Sequence, residues 1–160
     1  MRRTNAEWDL MSRVFSGAAL LQLLQASKRP SAARLEGIDR LIDRLLELER
    51  REGHGYFLLP YGRRGGWLQR PQRSQFVDGE IAWLIGLRRR VADNRPELRR
   101  AFRQRIAAIE ARMAKSPTLS AESYPDECWT FCNTIALAAL ALAEELDGRP
   151  TTALRRRWIA

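Results

Sequence analysis

Reactive side chains are concentrated in Ser123-Tyr124-Pro125-Asp126-Glu127-Cys128-Trp129-Thr130-Phe131-Cys132-Asn133, which holds both cysteines of the chain and two adjacent carboxylates. Thiols and carboxylic acids are groups that give and take protons in general acid–base chemistry. Two further sets have the same character: Ser74, Gln75, Asp78 and Glu80, and Trp8, Asp9 and Ser12. The lone His54 stands in a glycine-rich segment with Tyr56, Tyr61 and Trp67, residue types that wall an apolar pocket or pack a loop down. Each group also has an ordinary structural role open to it. Carboxylates such as Asp78, Glu80, Asp126 and Glu127 stabilise helix N-termini by about 0.3–1 kcal/mol. A free cysteine is most often a small buried apolar residue. A helix start lowers a thiol's pKa while Asp126 and Glu127 raise it, so the pattern does not assign a thiolate.

Helices must position these groups. Asn5 to about Ser27 reads as a first helix, capped by Asn5 and ended by Lys28-Arg29-Pro30. Ser31 to about Arg51 reads as a second, with Leu35, Ile38, Leu41, Ile42, Leu45 and Leu48 as one apolar stripe. Gly53 to Gln75 changes to glycine, aromatic and basic residues, a long loop of the kind that forms a lid or site wall. Phe76 to Asp93 and Pro96 to about Ser116 return to helix. The next helix is expected from Pro125 to Leu146, with Ser123 and Asp126 as a capping pair and Pro125 in the first turn. On that reading Cys128 and Cys132, four apart, share one helical face beside Tyr124 and Trp129. Thr151 to Ala160 closes the chain as a short helix.

A corner recurs at Ser27-Lys28-Arg29-Pro30, Asp93-Asn94-Arg95-Pro96 and Asp147-Gly148-Arg149-Pro150. Three helical hairpins therefore stand in tandem, in each of which an apolar helix precedes a two-faced one. Helices apolar all round need cover on both sides, so the first of each pair is expected inside and the second outside. The fold class this implies is all-α, a single domain over residues 1–160 forming part of an α/α toroid, with the starts of the inner helices meeting at one end of a cavity. Three hairpins do not close a six-hairpin ring, and the short last helix leads to the expectation of a continuing segment or a homo-oligomer.

The net charge is +9, almost all of it from arginine spread over every segment without interleaved aromatics, which argues against nucleic acid as the partner. No apolar run approaches the roughly 20 residues of a membrane-spanning helix. Cysteines at i,i+4 make a strained bridge, so reduced thiols in a cytoplasmic setting are expected. The dinucleotide, phosphate-loop and metalloprotease patterns are absent. Two cysteines and one histidine leave a zinc site one ligand short unless a carboxylate joins, and no metal is expected.

Asn5-Ala6-Glu7-Trp8-Asp9-Leu10-Met11-Ser12-Arg13, Ser74-Gln75-Phe76-Val77-Asp78-Gly79-Glu80-Ile81 and Tyr124 to Asn133 together resemble the α/α-toroid proteins related to linalool dehydratase-isomerase. The resemblance implies a cofactor-independent lyase or isomerase acting on a small apolar terpenoid-like alcohol or alkene, in a ring-shaped oligomer. It implies Cys132, followed by Asn133, as an acid–base residue and Asp9 as the carboxylate. The family's other cysteine precedes the Pro-Asp element, where this chain has Ser123, and Cys128 lies inside the motif instead. Two other readings stand beside it. One is a carbohydrate-active α/α barrel using Asp78, Glu80 and Asp126 as paired acids; the other is a non-catalytic helical-repeat scaffold.

Overall fold

The computed structural model describes residues 5–27 and 32–160, and the corner at Lys28-Arg29-Pro30 lies outside them. The described residues form an all-α protein: α1 (Ala6–Ala26), α2 (Ala32–Glu52), α3 (Gln75–Val91), α4 (Pro96–Lys115), α5 (Thr130–Asp147) and α6 (Thr152–Ile159). Two short 3-10 turns, His54–Phe57 and Pro60–Arg63, interrupt the long connection between α2 and α3. Among the described helices none is long and apolar enough to cross a membrane.

Local chemistry sets the helix limits. Asn5 accepts the Trp8 N–H at 3.1 Å and Ser74 accepts that of Val77 at 3.3 Å, each satisfying an orphan donor of a first turn. Pro96 opens α4, and Gly148, with φ 64°, ends α5 in the left-handed conformation.

Helix α3 is the middle of the molecule, packed between α1 and α5. Helix α2 lies against α1 and α3, α4 against α3 and α5, and α6 against α5. The outer helices present single stripes, Ile38, Ile42, Leu45 and Leu48 on α2 and Leu98, Phe102, Ile106, Ile109 and Met113 on α4, all buried. Glycines permit close approach within the row. A Cβ on Gly79 would lie 3.4 Å from Cys132 O and Ala136 N of α5, so α3 and α5 are nearly in backbone contact there. Among the described helices only α3 has the all-round cover expected of an inner helix. On α1 and α5 the far side is open, and Trp8, Phe15, Leu20, Leu23 and Phe131 are exposed.

The corners are tied by arginines. Arg89, on α3, binds Asp93 at its own corner and Asp147 at the next, with nitrogen–oxygen distances of 2.9–3.1 Å. Its neighbour Arg88 reaches back to Asp39 of α2 at 2.7 Å and to the Ala92 carbonyl. Two members of the Arg88-Arg89-Arg90 run are thus buried internal ties.

One helix begins later than its sequence suggests. Helix α5 starts at Thr130, not at Pro125. Tyr124 to Glu127 is a tight turn closed by an antiparallel bridge between its ends, with Asp126 at φ 61°. The Glu122 carboxylate draws the chain into this turn by accepting the Asp126 N–H at 2.7 Å, together with those of Leu68 and Gln69 at 3.0 and 2.6 Å. Ser123 does not cap the helix: its hydroxyl accepts the N–H of Trp129, the residue just before α5, at 3.3 Å, and no side chain among the described residues caps the first turn.

Candidate functional site

The starts of α1, α3 and α5 meet, but through other residues than Asp9, Asp78 and Cys132 together. Cys132 is buried on α5, and the carboxyls that act on it are Glu80 of α3 and Glu7 of α1. Glu80 is fully buried, and neither of its oxygens has a hydrogen-bond partner among the described residues. Burial without compensation pushes its pKa up to about 8, which favours the neutral acid at pH 7. Burial likewise pushes the Cys132 thiol up to about 12; Ser123 works against the shift, and Glu80 and Glu7 add to it. Cys132 is therefore a neutral thiol and a poor base.

Three rings flank this cluster. Tyr61 stacks on Tyr124 with centroids 4.7 Å apart, and Tyr124 on Trp129 at 5.1 Å. Tyr124 is buried and accepts the Leu59 N–H at 2.9 Å; burial raises its phenol, and Glu7 raises it further. Phe15, Trp83 and Phe131 form a second aromatic group on the same three helices, with Phe15 5.7 Å from Trp83 and 6.4 Å from Phe131. Trp8 stands exposed beside Glu7 on α1. The arrangement is a neutral carboxylic acid, a second carboxyl with Oε1 unpartnered and a neutral thiol, bordered by aromatic surface. Chemically it can donate a proton, accept one and shelter an apolar group.

The other expected residues are placed elsewhere. Asp9 is turned along α1 and paired with Arg13 at 3.1 Å. Asp126 is exposed in the turn. Cys128 precedes α5 and is exposed, so the two cysteines do not share a helical face; burial, Glu122 and Asp126 raise its thiol. Asn133 holds the incoming loop to α5, accepting the Ala121 N–H at 2.8 Å and donating to the Ala121 carbonyl at 3.0 Å.

Asp78 faces the outer helices. It accepts from Arg73 at 2.6 Å and from Arg105 and Arg112 at 2.8 Å each. Burial opposes its charge, but Arg73, His54, Arg112 and Arg105 hold the carboxyl well below the usual carboxylate range. Glu49 of α2 joins the network. Burial would raise its carboxyl too, yet His54 and Arg105 bring it down to about 2. His54 hydrogen-bonds Glu49 through Nδ1 at 2.8 Å and accepts the Ser74 N–H at Nε2 at 2.9 Å, a pairing that fixes its tautomer. Glu49, His54 and Asp78 bring ligand atoms within 4.8 Å of one another, as a metal site would. Their donor set does not suit a cation, because Arg73 and Arg105 already occupy the same carboxylate oxygens. A cavity of about 610 Å³ opens over this network between α2 and α4. His54, Tyr56 and Trp67 share another of about 380 Å³, whose lining includes neither Glu80 nor Cys132.

With Asp78 locked among arginines and Asp126 in solvent, the carboxylates named for a carbohydrate-type acid pair do not face one another. Glu7 is the group the sequence did not single out for chemistry. Its signal was available, since it falls in register with the buried stripe Leu10, Val14, Gly17 and Leu21 of α1.

Comparison of the chain with family models, with curated proteins and with solved structures finds no match.

Proposed function

We propose that this protein is a cofactor-independent lyase or isomerase that shifts protons on a small apolar alcohol or alkene, with Glu80 as the acid. The observation that carries the reading is a buried carboxyl with both oxygens unpartnered, set beside Cys132 where three helix starts meet. A neutral carboxylic acid at pH 7 is what protonation of a poor leaving group requires.

In the dehydration direction Glu80 gives its proton to the substrate hydroxyl, and the C–O bonding pair leaves with water. The Glu7 carboxylate takes a proton from the neighbouring carbon, and that C–H pair becomes the new double bond. Proton return from Glu7 to Glu80 through water resets the site, and hydration runs the same steps backwards. Cys132 contributes a neutral, weakly donating wall, a smaller part than the family resemblance implies. Tyr61, Tyr124, Trp129 and Trp8 provide the apolar surface. We read the α1–α3–α5 row, backed by α2 and α4, as a segment of an α/α toroid whose lumen receives the open faces of α1 and α5. Closure by further copies of the chain is the assembly this implies, and sedimentation at rising concentration tests it; a monomer throughout counts against it. Two free thiols, one of them exposed, fit a reducing, cytoplasmic setting.

The test is turnover in deuterated water with a panel of small tertiary and allylic alcohols, read by mass spectrometry for alkene product and deuterium uptake. Glu80→Gln should abolish both while circular dichroism stays unchanged. A wild-type protein that neither converts nor exchanges any of the panel, or full activity in Glu80→Gln, would remove the proposal.

A further inference from the structure

A third cavity, of about 500 Å³, lies between the C-terminal end of α4 and the segment before α3, and its lining includes neither Glu80 nor Cys132. Three cations line it, Arg70, Arg112 and Lys115, and no acidic residue does. Leu68 and Pro117 supply its apolar wall.

Arg112 is the member that asks for a ligand. Its side chain is 1% exposed. Nη2 donates to Asp78 at 2.8 Å and to Gln75 Oε1 at 3.0 Å, while Nε and Nη1 have no partner among the described residues. Asp78 cannot neutralise it alone, because that carboxylate also serves Arg73 and Arg105. Glu49 is the other carboxylate of the network, so three guanidiniums share two acids and one positive charge is left over. The unpartnered side-chain atoms of this network are Gln75 Nε2, Arg105 Nε and the two nitrogens of Arg112, all of them donors. A buried surplus of both donors and positive charge is met by an acceptor-rich anion. The carbonyls at the end of α4 oppose an anion, and the exposed Arg70 and Lys115 offset them. The cavity over Glu49 is less suited, because that carboxylate lines it.

We propose that this cavity is a binding site for an oxyanion, the phosphate or carboxylate group of a small ligand whose apolar part rests on Leu68 and Pro117. Arg112 holds the charge from below, and Arg70 and Lys115 close over it.

Calorimetric titration of the whole protein at low ionic strength, once with inorganic phosphate and once with benzoate, tests the site, with chloride as the ionic-strength control. Saturable one-site binding of either probe is expected, together with a shift of the Arg112 Nε–H resonance in an 15N-resolved spectrum. Phosphate as the tighter probe identifies a phosphate ligand; benzoate as the tighter identifies a carboxylate with an apolar body. The exposed pair Arg70→Ser and Lys115→Ser should weaken binding about tenfold or more without loss of fold. Arg112→Lys, which keeps a cation beside Asp78 but deletes Nε, should abolish it. Dilution heats only for both probes, or binding that survives these substitutions with the Arg112 resonance unmoved, would overturn the proposal.

Discussion

Glu80 gives the protein a pH dependence of unusual sign. In an unfolded chain it titrates near 4.5 and in the folded one near 8. Between those values the native state keeps a proton that the unfolded state has lost, so stability is full below about pH 4.5 and declines as the pH rises to about 8. The decline reaches at most about 5 kcal/mol. Glu80→Gln is neutral at every pH, so its stability relative to the wild type should rise by a few kcal/mol between pH 5 and pH 8; denaturant melts at the two values measure this. A gain in stability with a loss of turnover is the expected signature of a strained acid–base group. Glu49 behaves in the opposite sense. Held at about 2 against an ordinary 4.5, it stabilises above pH 4.5 and loses that contribution as the pH falls toward 2. Glu49→Gln should cost about 3 kcal/mol at neutral pH and flatten the acid limb of the stability curve. Neither carboxyl is distinguished by its neighbours in sequence. Glu80 sits two residues from Asp78, and two helical steps, about 200°, send the two to opposite surroundings, one unpartnered and one saturated.

At the level of elements, the hairpins were readable because their stripes are regular. Leu98, Phe102, Ile106, Ile109 and Met113 on α4 repeat at three and four and are all buried. The start of α5 was not readable, because Pro125 and the Ser123–Asp126 spacing imitate a helix N-terminus that Glu122 overrides from outside the motif. The arginine network was hidden for the same reason, since Glu49, Arg73, Asp78, Arg105 and Arg112 are far apart in the chain and meet only across α2, α3 and α4. The long connection depends on one close contact: a Cβ on Gly62 would stand 2.6 Å from Tyr124 Cε1. Gly62→Ala must therefore push the Tyr124 ring aside and disturb the Tyr61–Tyr124–Trp129 stack, at about 1–3 kcal/mol. Lower chemical stability together with altered tryptophan fluorescence would confirm it, and an unchanged emission spectrum would refute it.

Seen as a whole, the molecule exposes large apolar side chains on α1 and α5. The outer helices turn their charged faces to water, whereas α1 and α5 leave Trp8, Phe15, Leu23 and Phe131 exposed. Phe15 and Phe131 stand 6.4 Å apart across α1 and α5, and exposed aromatic surface of this kind binds hydrophobic dyes even in a fully folded protein. Phe15→Ser with Phe131→Ser should lower native-state dye fluorescence several-fold while the helical signal remains; a loss of less than a third would mean that the aromatic patch is not the dye site. The arginine at the second corner bears on how the chain comes apart. Because Arg89 grips Asp93 and Asp147 at once, the last two hairpins are strapped at their tips as well as packed along their lengths. Neither can fray outward from its bend while the other stays in place, so hydrogen exchange at residues 88–93 and 143–149 should slow and quicken together, and cutting the strap by Asp147→Asn should let the final hairpin open on its own.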